Sequence, residues 1–168
     1  MNFSLRDIEE NDHEWLVELH NDPVVLHNVT NPKPITLKEH LSWFKSLNSN
    51  KELRKIFYID NDRAGFCKFY FLDHVNKNCM LGADLHKDYR GKRLAKEMWR
   101  LMLSYCFDSM GFHRVSLTTS EYNSIAIRVY EGLGFQCEGR YTEALYRDGK
   151  YHDQVCYYML KERWLKCF

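Results

Sequence analysis

Asp88-Tyr89-Arg90-Gly91-Lys92-Arg93-Leu94-Ala95 joins two segments of different period. Upstream, residues 78–86 alternate as a strand. Downstream, Leu94, Met98, Leu101, Met102 and Tyr105 recur at helical spacing, which predicts a helix over 91–110 with Gly111 just past its end. The stretch is therefore a strand-to-helix turn. A helix N-terminus carries unpaired N–H groups and partial positive charge, so such a turn is an anion site in waiting. Arg90, Lys92 and Arg93 add cationic side chains there. Taken alone, the turn is equally compatible with a solvated, charged helix start. It lacks the glycines of a Walker A loop or a G-x-G-x-x-G fingerprint.

Working outward, the pattern reads as one α/β domain spanning residues 1–168. Trp15, Leu16 and Leu19 share a face of a first helix over 12–20, broken at Asn21-Asp22-Pro23. Thr36 and Glu39 form a capping-box pattern that opens a second helix with Leu37, Leu41 and Phe44 on its apolar stripe. Strands follow at 56–59 and 65–72, a hairpin turning at Asn61-Asp62, and then at 78–86. After the long helix come a strand at 114–119, a helix over 123–133 stopped by Gly134, and strands at 136–141 and 151–160. Hairpins mixed with βαβ crossings predict helices flanking a single mixed, mostly antiparallel sheet.

Bulk properties narrow the function. With 45% hydrophobic and 28% charged residues, the chain reads as a globular domain with a real core. A net charge of +1 argues against a nucleic-acid partner. Cys67, Cys79, Cys106, Cys137, Cys156 and Cys167 form no C-x-x-C pair, and none sits by a suitably spaced His pair, so no metal site is expected. The first residues lack an apolar signal core and no stretch reaches membrane-spanning length, which predicts a cytoplasmic protein without a membrane partner.

A second motif runs from Asn123 through Ala126 and Tyr130 to Gly134-Phe135. By itself it is an Asn-capped amphipathic helix with a glycine exit. The two motifs together resemble the GNAT superfamily of N-acetyltransferases. Arg90 and Ala95 match the ends of that family's [Q/R]-x-x-G-x-[G/A] turn, while Arg93 stands where the family has its middle glycine. The later pattern N-x-x-A-x-x-x-Y-x-x-x-G-F is met in full. The resemblance covers essentially the whole chain in element order. It implies acetyl-coenzyme A as cosubstrate, with its pyrophosphate near Leu85, His86, Arg90, Gly91, Lys92, Arg93, Leu94 and Ala95. It also implies that the strands at 78–86 and 114–119 splay, that Asn123 orders the pantetheine arm, and that Tyr130 faces the thioester sulfur.

Acetyl transfer to an amine needs a proton removed, an oxyanion stabilised and a thiolate protonated. Tyr130 suits the last step. Asp84, His86 and Glu121 are the candidate bases: period-two alternation puts Asp84 and His86 on one strand face, and Glu121 follows the next strand. No Cys–His–acid set is visible, so direct transfer is expected. For the acceptor, Asn21-Asp22-Pro23, Ile35-Thr36, Glu39-His40 and Trp43-Phe44 resemble GNAT enzymes acting on nucleotide-linked amino sugars, which implies substrate contacts at His40, Trp43 and Phe44. The usual W-R-N-D opening of that branch reads Leu19-His20-Asn21-Asp22 here. The ending Gly134 to Gly139 and Gly149 to Asp153 looks instead like the spermidine and ribosomal-protein branches. The acidic run Asp7, Glu9, Glu10, Asp12 and Glu14 could serve a polyamine or be a solvated face. An amino sugar is the first expectation, a polyamine or a protein N-terminus the alternatives, and a coenzyme-binding module without turnover the reading from another class. The C-terminal strands suggest a homodimer.

Overall fold

Val115, Leu117 and Thr119 are buried and alternate with half-buried residues along Arg114–Ser120, as in a strand at the centre of a sheet. The computed structural model describes residues 1–167, without the side chain of Cys167, so the reading of the Cys167 thiol falls outside it. Its strands are β1 (Phe3–Arg6), β2 (Leu53–Ile59), β3 (Asp62–Asp73), β4 (Asn78–Leu85), β5 (Arg114–Ser120), β6 (Gln136–Arg147) and β7 (Lys150–Leu160). They form one seven-stranded sheet in the order β1-β2-β3-β4-β5-β7-β6. Only β4 and β5 pair in parallel; the other neighbours are antiparallel. The helices are α1 (His13–His20), α2 (Pro23–Asn28), α3 (Leu37–Ser46), α4 (Leu94–Ser104), α5 (Ser124–Gly132) and α6 (Lys161–Cys167).

Three elements go beyond the sequence pattern. β1 and α6 are four and seven residues long, too short to show a period. At α2 the proline starts a helix rather than ending one. Asp22 Oδ1 accepts hydrogen bonds from the Val24 and Val25 N–H groups at 3.0 and 3.2 Å, and Pro23 supplies a ready-made φ at the first helical position. The capping box of α3 forms as expected: Glu39 N–H donates to Thr36 Oγ1 at 3.2 Å, and Thr36 N–H to Glu39 Oε2 at 2.8 Å.

The long helix is shorter than its pattern. Gly91 (φ 75°) and Arg93 (φ 62°) are left-handed, so α4 begins only at Leu94; it passes into a π-helical turn at Tyr105–Ser109 and exits at Gly111 (φ 67°). Met98, Trp99, Met102 and Leu103 are buried against the sheet, each contributing about 1.5–3 kcal/mol. Gly65 on β3 allows that approach, since a Cβ there would lie 2.7 Å from Met98 Sδ and 2.9 Å from the Asp84 carbonyl oxygen. The packing thus fixes where α4 starts relative to the end of β4.

Candidate active site

β4 and β5 exchange ladder bonds over only three residue pairs, Asn78–Arg114, Cys79–Val115 and Met80–Ser116. Beyond these the strands splay, as expected, and the wedge between them is a cavity of about 360 Å³. Leu81 to Asp84, Thr118 to Ser120, Asn123 and Tyr130 line it. The β4 backbone past Met80 has no β5 partner, so its N–H and C=O groups can take an extended chain of amides as an added strand. Ser120 Oγ, also on this wall, is buried without a hydrogen-bond partner among the described residues.

At the end of β4, the 3₁₀ turn Lys87–Tyr89 and the two left-handed residues lead into α4. No side chain caps α4, so the first N–H groups of Leu94, Ala95 and their neighbours are open to an anion. Gly91, Lys92 and Arg93 are exposed. These features fit a pyrophosphate. Arg93 holds the left-handed conformation that explains the family's glycine at this position. Arg90 is differently engaged: its Nε donates to the Leu85 carbonyl at 2.9 Å, and its Nη1 lies 2.9 Å from Asp22 Oδ1.

A second cavity, of about 550 Å³, lies beneath α1 and α3. Its walls include Leu16, Leu19, Glu39, His40 and Trp43, together with Phe66 of β3. Val29, Thr30, Lys68, Tyr70 and Asp84 line both cavities and mark their junction. There Lys68 Nζ donates to Asp84 Oδ2 at 2.5 Å, with both side chains 15% exposed. Burial opposes the Lys68 charge, but the Asp84 carboxylate outweighs it and holds the ammonium pKa above its usual value. Tyr130 is packed edge-on against Trp99 at 4.9 Å; burial, reinforced by negative Asp84, pushes its phenol pKa up.

The expected residues thus divide. Asp84, Asn123 and Tyr130 line the wedge, with Asn123 Oδ1 also capping α5 by accepting from Ala126 N–H at 3.3 Å. His86 lies just past the end of β4, still extended and with its N–H donating to the Ala64 carbonyl at 2.8 Å, and it lines neither main cavity. Its ring stacks on Trp15 at 5.9 Å in a third cavity, walled by Arg6, Tyr58 and Tyr89 among others. Glu121 lies just past β5 outside both main cavities, 3.4 Å from His152 Nδ1 and 3.4 Å from Arg140 Nη1. His40 and Trp43 line the larger cavity, whereas Phe44 packs behind them on His13 at 4.8 Å. His40 Nε2 is 3.0 Å from His13 Nδ1; burial, then the neighbouring His13 and His20, lowers its pKa to about 4. The acidic run lines neither main cavity: Asp12 is buried against Arg63 at 2.6 Å, and Asp7 pairs with Lys55 at 2.7 Å. Lys68 and Tyr70 went unnoticed in the sequence. The signal was there for Lys68, a lone cation in the apolar strand Phe66-Cys67-Lys68-Phe69.

Among the described residues no His, Cys, Asp and Glu side chains cluster as metal ligands, and no helix is long and apolar enough to cross a membrane. Cys67, Cys79, Cys106 and Cys156 are free and buried, and Cys137 is free and exposed.

Known proteins share this arrangement. The Acetyltransferase (GNAT) domain family matches residues 2–136. The SPbeta prophage-derived uncharacterized N-acetyltransferase YokL of Bacillus subtilis (strain 168) is 28% identical over 163 residues, 96% of this chain and 91% of its own. The spermidine N(1)-acetyltransferase of Escherichia coli (strain K12) is 24% identical over 152 residues, 90% of this chain and 82% of its own. The crystal structure of spermidine N-acetyltransferase from Vibrio cholerae in complex with CoA and spermine has the same fold. It superposes with a TM-score of 0.91 at 22% identity, covering 97% of this chain and 98% of that one. A family match over most of the chain means that this chain belongs to the GNAT acetyltransferases, N-acetyltransferases whose acetyl donor is acetyl-coenzyme A.

Proposed function

We propose that the chain acetylates a primary amine of a small acceptor lodged beneath α1 and α3, by direct attack on the thioester held in the β4–β5 wedge. The observation that carries this reading is the meeting of the two cavities at Lys68, Tyr70 and Asp84, with Tyr130 on the wedge side. An alkyl ammonium has a pKa of about 10 and cannot attack until it loses a proton. The Lys68 ammonium disfavours a second positive charge nearby, which eases that loss. Asp84 takes the proton, directly or through water. A β4 backbone N–H meets the charge that develops on the carbonyl oxygen. Tyr130, its phenol pKa held up by burial, protonates the departing sulfur, and the second proton lost by the acylated nitrogen restores the phenol.

For the acceptor, a polyamine of the spermidine type stands first. It draws support from the Escherichia coli relative and from the Vibrio cholerae fold neighbour described with spermine. A specific observation keeps a nucleotide-linked amino sugar as a second reading. Both carboxylates of the larger cavity are already engaged, Glu39 in the cap of α3 and Asp84 by Lys68, and Lys33 adds a cation to its wall. A polycation needs spare carboxylates, whereas a sugar nucleotide brings phosphates that suit cations. The test is thiol release from acetyl-coenzyme A with spermidine, nucleotide-linked amino sugars and N-terminal peptides. Saturable turnover with one class selects it. Coenzyme binding without turnover on any amine favours a binding module. The proposed homodimer would form along β6, a twelve-residue, mostly exposed edge strand, and light scattering reads it directly.

A further inference from the structure

Asn21 and Asp22 stand at the junction of α1 and α2, and each ties a different part of the site to it. Asn21 clamps Ile35 with two hydrogen bonds: its Nδ2 donates to the Ile35 carbonyl at 2.8 Å, and its Oδ1 accepts from Ile35 N–H at 2.9 Å. Asp22 caps α2, which leads straight into Val29. The segment 29–35, which walls the larger cavity through Val29, Thr30, Asn31, Lys33 and Ile35, is held at its Val29 end by Arg147, whose Nη2 donates to the Val29 and Thr30 carbonyls, and at its Ile35 end by Asn21 at the α1–α2 junction. That junction is joined to the turn before α4. Arg90 Nη1 lies 2.9 Å from the same Asp22 oxygen that caps α2, while Arg90 Nε holds the Leu85 carbonyl at the end of β4. The pair is mostly buried, with Arg90 27% and Asp22 15% exposed at the side chain. Desolvation works against the Asp22 charge, but the Arg90 guanidinium and the two capping N–H groups override it and lower its pKa. A parallel link, Lys87 to Glu18 at 3.9 Å, is more than half exposed on both sides and adds little.

We propose that the Asp22–Arg90 pair is a strut coupling the coenzyme turn to the acceptor wall, and that Arg90 acts as a positioning residue rather than as a phosphate ligand. The inference rests on the assignment of the two cavities made above. Arg90 Nε and Nη1 hold Leu85 and Asp22, and Nη2, though without a hydrogen-bond partner among the described residues, is buried, so the side chain cannot swing out to a phosphate without releasing the junction. Phosphate contact then falls to the backbone of 91–95 and to the exposed Lys92 and Arg93. Ordering of the turn by coenzyme is passed through Arg90 to Asp22 and on to the segment 29–35, so coenzyme prepares the acceptor site.

Asp22→Asn tests this cleanly, because asparagine caps a helix as well as aspartate but cannot hold the ion pair. Hydrogen exchange is followed by mass spectrometry with and without coenzyme A. In the wild type, coenzyme protects both 90–95 and 29–35. In Asp22→Asn, and in Arg90→Gln as a second variant, protection at 90–95 persists and protection at 29–35 is lost. The acceptor KM rises about fivefold or more while coenzyme Kd stays within about twofold, and the double variant is no worse than either single. Coenzyme protection at 90–95 with no effect at 29–35 in the wild type overturns the strut alone. So does unchanged protection of 29–35 in Asp22→Asn, or a coenzyme Kd that weakens tenfold in Arg90→Gln. No protection at 90–95 in the wild type overturns the coenzyme assignment as well.

Discussion

Tyr130→Phe removes one oxygen from the wedge and leaves the ring. That ring packs on Trp99 at 4.9 Å, Phe135 at 5.9 Å and Tyr157 at 6.1 Å, and all three contacts survive the change. The fold should therefore lose no more than about 1 kcal/mol, the scale of a single hydroxyl's interactions. Turnover is a different matter. Burial and the nearby Asp84 carboxylate hold the phenol pKa up, which suits the acid role proposed for it toward the departing thiolate. A positioned general acid is worth about 10²–10⁴ in rate, or about 3–5 kcal/mol of barrier. The assay is thiol release at saturating acceptor, with coenzyme affinity measured separately by calorimetry. The expected result is kcat lowered about a hundredfold or more at pH 7 with Kd within about twofold. The gap should narrow above about pH 8.5, where a thiol leaves as thiolate without help. A folded, coenzyme-binding Tyr130→Phe variant with kcat within about twofold of wild type would remove Tyr130 from the acid role.

Lys68→Met strands Asp84 at the cavity junction and should cost about 2–4 kcal/mol in urea unfolding, less than for a fully dry pair because both partners keep 15% exposure. Adding Asp84→Asn should return part of that loss, and strict additivity of the two would mean that the pair is not coupled. Arg93→Gly relieves a left-handed residue worth about 1–2 kcal/mol and gives back about 0.4–1 kcal/mol through the unfolded chain, so the variant should be modestly more stable; destabilisation would show that the Arg93 side chain contributes to the fold. His40 sets a pH window. Its pKa is near 6.5 unfolded and about 4 folded, so the unfolded chain binds the extra proton between those values and stability falls as pH drops through them. His40→Gln should shrink the loss between pH 7 and pH 4.5 by about 2–3 kcal/mol, and identical unfolding profiles would place the titration elsewhere.

Local rules were readable wherever a few neighbouring residues decide the outcome. The Thr36–Glu39 box, the Asn123 cap and the glycine exit at Gly111 all formed as their residue types require. The same reasoning stopped short where one segment does two things. Asn21-Asp22-Pro23 ends α1 as expected, but Asp22 and Pro23 are also the cap and first residue of α2, with the Val24 and Val25 N–H groups bound to Asp22. His86 falls one residue past the strand and stacks on Trp15 in the third cavity, so it does not line a cavity with Asp84. The acidic run around Asp12 offered charge without partners; Arg63 and Lys55, far along the chain, pair with its Asp12 and Asp7 away from both main cavities.

From the sequence by itself came the family, the strand-to-helix turn proposed for the phosphates, and the pairing of Asn123 with Tyr130 on one helix, because motif spacing and helical period are local properties of the chain. Only the tertiary structure decided which side chains meet. Lys68 and Asp84 are brought together by antiparallel register between β3 and β4, His13 and His40 by the packing of α1 on α3, and Arg90 and Asp22 by the seating of α4. Each such pair depends on a distance across the fold that no window of sequence contains. The active site is built from these distances, which is why its chemistry was visible in outline and its working partners were not.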